Sequence, residues 1–368
     1  MVLDIRERNR IIACAAEPNV EGMPFTTVAT RVLGIEHPIV CGGMTATGSA
    51  ELAAGVSNAG GLGMLTCLHC RTPDNLAREI VRLRTMTGKP FGVNLTLLGE
   101  KRGEPEYPGP FVAVIVAAGV KIVETCGANR ELMSRIHVAL HEGGVEVIIH
   151  KCVKVSQAVR ATEQLPHVSM ISLMGFDSGG LPGEADTGIF VQAALAARAL
   201  AVPFLLSGGV ATGSQLTAAL ALGAAGVQIG TAFNATSDNV MFGPAYKERM
   251  VRAGVKDTVV VMSSFNASSR VFRGGDAVKL LAAERAGGGK AGVRAGTLGF
   301  KDIAPYAMFE ALREGMEAGD PDRGVWNCGQ SVALVDKVVT CGELVERLVR
   351  EAEESLGRIG PMFQKARL

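Results

Sequence analysis

The sequence predicts an α/β fold: a (β/α)8 TIM barrel with a helical cap subdomain. Three observations predict it. Short apolar runs alternate with Ala/Leu-rich helical windows, the pattern of parallel βα units. The alternation repeats at a spacing of about 25 to 35 residues, as a barrel of about 250 residues requires. Glycine pairs recur at the ends of several late strands. The competing architecture, an open doubly wound sheet, would concentrate them as Gly-x-Gly-x-x-Gly after the first strand, with an acidic residue about 20 positions on.

The candidate strands are Pro38–Met44, Leu62–Thr66, Phe91–Leu97, Lys121–Gly127, Glu146–Cys152, Met170–Gly175, Pro203–Gly209 and Gly226–Phe233. Between them lie helical windows near Ser49–Asn58, Pro73–Met86, Phe111–Ala118, Arg130–His141, Val155–Gln164, Ile189–Ala199 and Gly213–Leu222. Thr72-Pro73 places proline at the first helical position, and Gly213-Ser214 opens the seventh helix. Residues 1–36 form an N-terminal extension expected to wrap the barrel base, and residues 37–233 form the barrel. Past Phe233 the βα rhythm stops. Residues 234–325 read as helices and irregular loops, a cap over the barrel mouth that includes a flexible Ala286-Gly287-Gly288-Gly289-Lys290 run. Residues 326–368 return to the barrel near Gly329-Gln330 and end in an amphipathic helix, Cys341 to Leu356.

Composition narrows the class. The chain has 368 residues, a formal net charge of +1 and 48% hydrophobic residues. Interspersed charges argue against a nucleic-acid or anionic-membrane surface. Met1 to Arg10 is rich in charge and has no apolar h-region, so it does not read as a secretory signal. Apolar runs such as Phe111–Val120 fall short of the about 18 residues that span a bilayer. Ile189–Leu206 is longer but is broken by Gln192, Arg198 and Pro203. Eight cysteines in so large a chain do not make a disulfide framework. Cys67-Leu68-His69-Cys70 has no second pair at zinc-ligand spacing, so reduced, partly buried thiols are favoured over a metal or redox role. The expected compartment is the cytoplasm, and no metal is expected.

Barrel enzymes carry function on the loops after the strands, with a phosphate site commonly following strands seven and eight. Those positions read Ser207-Gly208-Gly209-Val210 and Gln228-Ile229-Gly230-Thr231. Glycine backbone N–H groups approach a phosphate closely, helix N-termini add partial positive charge, and Thr231 adds a hydroxyl. The alternative is that these glycines only make tight βα turns. The loop after strand six, Gly175-Phe176-Asp177-Ser178-Gly179-Gly180-Leu181-Pro182-Gly183-Glu184, describes a shaped loop over a ligand. Asn94 closes an apolar run, and His150 and Lys151 end strand five. An inward amide and an inward amine suit the polar edge of an isoalloxazine, where a cation stabilises the reduced ring. The alternatives are a turn-forming Asn94 and a snorkelling Lys151.

With these residues in place, the sequence resembles the nitronate monooxygenase (2-nitropropane dioxygenase) superfamily, closest to its NADH:quinone reductase branch. The matching stretches are Pro38–Met44, Asn58–Leu62, Pro90–Leu98, Ile149–Cys152, Gly175–Glu184, Ser207–Gly209, Gly230–Phe233 and Trp326–Gln330, in family order over almost the whole chain. The resemblance implies a barrel with non-covalent FMN. Gly43 and Met44 would line the ring, and Asn94 and Lys151 would meet its polar edge. Gly179, Gly180, Gly208, Gly209, Gly230 and Thr231 would surround the phosphate. Asp177 belongs to the same cofactor-binding set, and Gln330 would return from the tail to touch the flavin. One departure matters: Leu181 stands where the family usually has a histidine that acts as base or orients the nitronate. Leucine has no proton to give or take. His150 is a weak candidate to substitute, and the catalytic residue is otherwise unassigned.

Hydride transfer from NADH or NADPH through FMN to a quinone-like acceptor needs positioning more than a protein base. That is the expected activity, on a small-molecule substrate, by a monomer or homodimer. The alternatives are nitronate monooxygenase, an enoyl-thioester reductase, and a non-catalytic protein that binds FMN or a hydrophobic ligand. Arg270 and Arg273 fall in the expected cap, where they face either a dinucleotide's phosphates or solvent.

Overall fold

A computed structural model describes residues 25–97 and 108–362. Most of the N-terminal extension and Leu98, at the end of one quoted motif, lie outside the described residues. All eight predicted strands form: β1 Ile39–Cys41, β2 Gly63–Thr66, β3 Phe91–Thr96, β4 Ile122–Cys126, β5 Val147–Cys152, β6 Met170–Met174, β7 Phe204–Ser207 and β8 Gly226–Ile229. They pair in parallel in the order β1-β8-β7-β6-β5-β4-β3-β2. A parallel bridge between Val40 and Leu62 closes the ring, with Cys41 N–H donating to Leu62 O at 2.8 Å and Leu62 N–H to Ile39 O at 2.9 Å. The seven helical windows between the strands each hold a helix. Thr72 caps the helix Pro73–Met86, and Thr212 caps Gly213–Ala221 in a capping box.

Successive strand residues point to opposite faces, which sorts the barrel into two environments. Outward residues such as Val93, Leu95, Val123 and Ile148 join the core shared with the helices. Inward residues divide by height. Val40, Met64, Ile122, Val147, Ile149, Met170 and Leu205 fill the lower barrel, and Ala29, Leu33 and Ile35, from and just beyond the helix Val28–Leu33, join them. The inward positions toward the C-terminal strand ends are polar: Thr66, Asn94, Glu124, Lys151, Ser172 and Gln228. The strand alternation in the closed barrel therefore places an apolar plug below and a chemistry-bearing layer above.

Three expectations need correction. The eighth strand ends at Ile229, not Phe233; Thr231–Asn234 turns into one helical turn, because Asn234 N–H closes back on Gly230 O at 2.9 Å. The cap is not purely helical. An antiparallel hairpin, β9 Thr258–Val261 and β10 Ser269–Phe272, lies within it, formed by β-branched residues over a small core of Val261, Val271, Leu280 and Ile303. The expected flexible glycine run is instead a junction between the helices Gly275–Ala286 and Gly289–Ala295, held by Gly292 N–H on Gly288 O at 3.1 Å.

The chain returns from the cap at Trp326, which is 1% exposed. Its ring stacks on Phe272 at 4.4 Å, with Tyr246 and Phe242 at its edges, and its indole N–H donates to Pro321 O at 3.0 Å. The final helix, Cys341–Ile359, then packs against Gly213–Ala221, with Gly213 N–H donating to Glu351 Oε2 at 2.7 Å. Among the described residues, no helix is long and apolar enough to cross a membrane.

Candidate active site

The ends of β6, β7 and β8 meet in a cradle of backbone donors. Gly208 and Gly209 both adopt the left-handed region, at φ 91° and 73°. A Cβ at Gly208 would stand 2.5 Å from Ser178 Cβ, so the two loops touch only because residue 208 is glycine. Ser178 is 4% exposed, and its Oγ has no hydrogen-bond partner among the described residues. A buried hydroxyl left unpaired costs free energy, which a ligand oxygen would offset. Among the described residues, no acceptor takes the N–H groups of Gly179, Gly208, Gly209, Gly230 or Thr231. Thr231 Oγ1 accepts from Gly329 N–H at 2.9 Å, leaving its own proton to donate. The set suits a phosphate.

Opposite this cradle lies a polar hub that sequence reasoning missed. Glu124, on β4, is 0% exposed. Its Oε2 accepts from Asn94 Nδ2 at 2.6 Å and from Gly43 N–H at 3.2 Å, with Lys151 Nζ at 3.3 Å. Its Oε1 accepts from Gln228 Nε2, whose own Oε1 accepts from Ser172 Oγ. A carboxylate in this position is sustained only by a cation and several N–H groups together. Asn94 is thus no turn residue and Lys151 does not snorkel outward; both project into the barrel, with Lys151 12% exposed toward the mouth. Gly43 lies directly over Asn94, where a Cβ would stand 2.3 Å from Asn94 Cγ. Met44 donates its N–H to Thr66 Oγ1 at 3.1 Å, and its sulfur borders Gly230. The signal in the sequence was a lone acid inside Ile122-Val123-Glu124-Thr125-Cys126. Both faces of a barrel strand are covered, so that charge had to have a buried partner.

Other predicted residues are placed differently. Gly180 exchanges both backbone hydrogen bonds with Arg270, at 3.0 and 2.7 Å, so its N–H is spent. Asp177 turns its Oδ2 to Ile189 N–H at 3.1 Å, at the start of the helix Ile189–Ala199, and its carbonyl accepts from Gln330 N–H at 2.9 Å. Both bonds are structural: the first ties the strand-six loop to that helix, and the second docks the return segment onto the loop. Leu181 is 43% exposed. Arg270 is neither solvated nor free; it is buried, at 4% exposure. Cys67 and Cys70 are buried, and burial pushes the Cys70 thiol up to about 12. Among the described residues, no group of three or more His, Cys, Asp or Glu side chains could hold a metal ion.

His150 does not face the mouth. It points outward from β5, where its Nδ1 and His137 Nε2 both lie 2.9 Å from Thr125 Oγ1. Burial, and then His137, push it down to about 4. Its neutral form is therefore the native one, and between about pH 4 and 6.5 the unfolded chain binds more protons. Stability from this group is fully present above the unfolded value and falls on acidification, by at most about 1.4 kcal/mol per pH unit. Urea unfolding at pH 7 and pH 5 is expected to show this loss, with a smaller one in His150→Gln; equal slopes in both proteins would refute it.

The imidazole that does reach the active face is His69. The short helix Cys67–Cys70 follows β2 directly, and His69 Nδ1 lies 3.1 Å from Ala46 O, in the loop after β1. A carbonyl partner makes Nδ1 the donor and leaves Nε2 as an acceptor. Burial lowers its pKa, which keeps the ring neutral.

The family model described as nitronate monooxygenase matches residues 26–351. A relative from Mycobacterium tuberculosis, named (3aS,4S,5R,7aS)-5-hydroxy-7a-methyl-1-oxo-octahydro-1H-indene-4-carboxyl-CoA dehydrogenase, is 31% identical, covering 90% of this chain and 97% of the relative. Its namesake from Rhodococcus jostii is 27% identical, covering 91% of this chain and 98% of its own. Among solved structures, FabK from Thermotoga maritima is similar with a TM-score of 0.79 and 31% identity, covering 92% of this chain and all of that one.

Proposed function

The chain belongs to the nitronate monooxygenase family, and from that premise we propose an FMN-dependent oxidoreductase that moves a hydride at a carbon conjugated to a CoA thioester. The orphaned Ser178 hydroxyl beside Gly208 and Gly209 carries the cofactor reading, since it answers a phosphate. The substrate class is supported by the two relatives named as carboxyl-CoA dehydrogenases. NADH or NADPH as reductant, with a quinone-like acceptor, is the second reading, favoured by Leu181 at a position that offers no base. A cytoplasmic location belongs to the same proposal.

FMN, when bound, supplies a two-electron redox ring. The protein's own residues do the rest. Ser178, Gly208, Gly209 and Thr231 hold the phosphate. Glu124 fixes Lys151 and Asn94 so that their remaining N–H groups present a preorganised donor set to the ring's polar edge. His69, its tautomer set by Ala46 O, takes the α-proton that a thioester dehydrogenation releases.

Anaerobic mixing of the purified flavoprotein with acyl-CoA, NADH, NADPH or an alkyl nitronate tests the ranking. Flavin bleaching by an acyl-CoA is expected, and bleaching by the nitronate alone would overturn the proposal. In His69→Gln, the thioester reaction is expected to slow about 100-fold while reduction by any competent nicotinamide is unchanged. Equal slowing of both would remove His69 from proton transfer.

A further inference from the structure

We propose that Arg270, reaching in from the cap hairpin, supplies the charge that balances a bound flavin's phosphate and so selects FMN over riboflavin. This rests on the FMN reading given above. Arg270 is 4% exposed, and among the described residues no carboxylate lies within 4.0 Å of it. Its Nε donates to Phe176 O at 3.1 Å and its Nη1 to Thr258 Oγ1 at 3.3 Å. Its guanidinium carbon lies 4.6 Å from the Phe176 ring centroid. Both partners on the side chain are neutral oxygens, and the ring offers only a quadrupole. Asp177 is felt through space, but its carboxylate is turned to the helix N-terminus at Ile189.

A buried cation without a counter-ion is costly, and so is a buried phosphate among neutral donors. The two deficits meet on one loop. Arg270 grips that loop at Phe176, through its side chain, and at Gly180, through its backbone at 3.0 and 2.7 Å. Ser178, with its unpartnered hydroxyl, lies between those two grips. No other Lys or Arg side chain among the described residues bonds to the segment from Phe176 to Gly180; the next cation along, Lys290, pairs with Glu184 at 3.6 Å. The cradle itself, made of glycines, a serine and a threonine, brings no charge. The cation comes from the cap instead, so the cap must be seated on the strand-six loop for the phosphate to be neutralised.

The test is titration of flavin-stripped full-length protein with FMN and with riboflavin, for wild type, Arg270→Gln and Arg270→Lys. Removing the charge is expected to weaken FMN binding about tenfold or more while leaving riboflavin binding within about twofold, because riboflavin has no phosphate. Arg270→Lys keeps the charge without the planar fork, and is expected to retain most of the FMN preference. A wild-type preference in Arg270→Gln would overturn the proposal. So would equal weakening toward both flavins, which is what a merely structural role produces. Should Arg270→Gln fail to fold, as judged by circular dichroism, Arg270→Lys decides: loss of its FMN preference refutes the charge role. Wild type that binds neither flavin would instead sink the FMN reading itself.

Discussion

Gly208→Ala is expected to yield protein that no longer retains FMN. The substitution meets two obstacles at once. Residue 208 sits at φ 91°, a region that L side chains avoid, and its new methyl would stand 2.5 Å from Ser178 Cβ and 2.9 Å from Ser178 Cα. The backbone strain alone is about 1–2 kcal/mol, and the collision pushes the strand-six and strand-seven loops apart where the phosphate would sit. A displacement of that kind is expected to raise the FMN dissociation constant at least about 100-fold, equivalent to about 2.7 kcal/mol. Ser178→Ala, which removes only the hydroxyl, is the graded control; losing one hydrogen bond to a charged group weakens binding by about 1.5–3 kcal/mol. Gel filtration followed by an absorbance spectrum reads the result. Gly208→Ala that elutes yellow with full flavin occupancy would show that the cradle lies elsewhere.

Glu124→Ala is expected to be the most destabilising substitution in the upper barrel. It leaves the Lys151 ammonium, 12% exposed, without its carboxylate, and strips an acceptor from Asn94, Gln228 and the Gly43 N–H. Breaking a buried ion pair by removing one partner costs about 3–5 kcal/mol, because the remaining charge stays desolvated. Glu124→Gln keeps an oxygen for Lys151 and is expected to cost less. The double substitution Glu124→Ala with Lys151→Met is expected to recover part of the loss, since the stranded cation goes too. Urea unfolding at neutral pH measures all three. A Glu124→Ala midpoint close to wild type would mean that water reaches the hub freely and that Lys151 is not held for any ligand.

The strands and their order were legible because each barrel strand is a short apolar run ended by glycine or a polar residue. Gly208, Gly209, Gly230 and Thr231 were legible for the same reason, since they stand at the C-terminal ends of named strands. What a linear reading lacks is facing. His150 and Lys151 are neighbours in sequence, yet the two-residue period of β5 sends one into the helix layer and the other into the barrel. Glu124 was passed over because its partners come from the ends of β3, β5 and β8 and the loop after β1, far apart in the chain. Gly180 drew attention as a phosphate glycine, whereas its N–H is consumed by a residue of the cap that only the folded chain brings near. The β9–β10 hairpin was missed because each strand is only four residues long and helical windows follow directly.

The aromatic sandwich at the cap's exit has a practical consequence. Trp326 is the protein's single tryptophan. Its emission therefore belongs to one place, the joint where the return segment leaves Phe272 and heads for Gln330. While that joint is intact the indole is shielded and its fluorescence stays blue. Lifting of the lid from the barrel would redden it before the strands themselves come apart, so an ordinary emission spectrum gives this molecule a built-in gauge of closure, with no label attached.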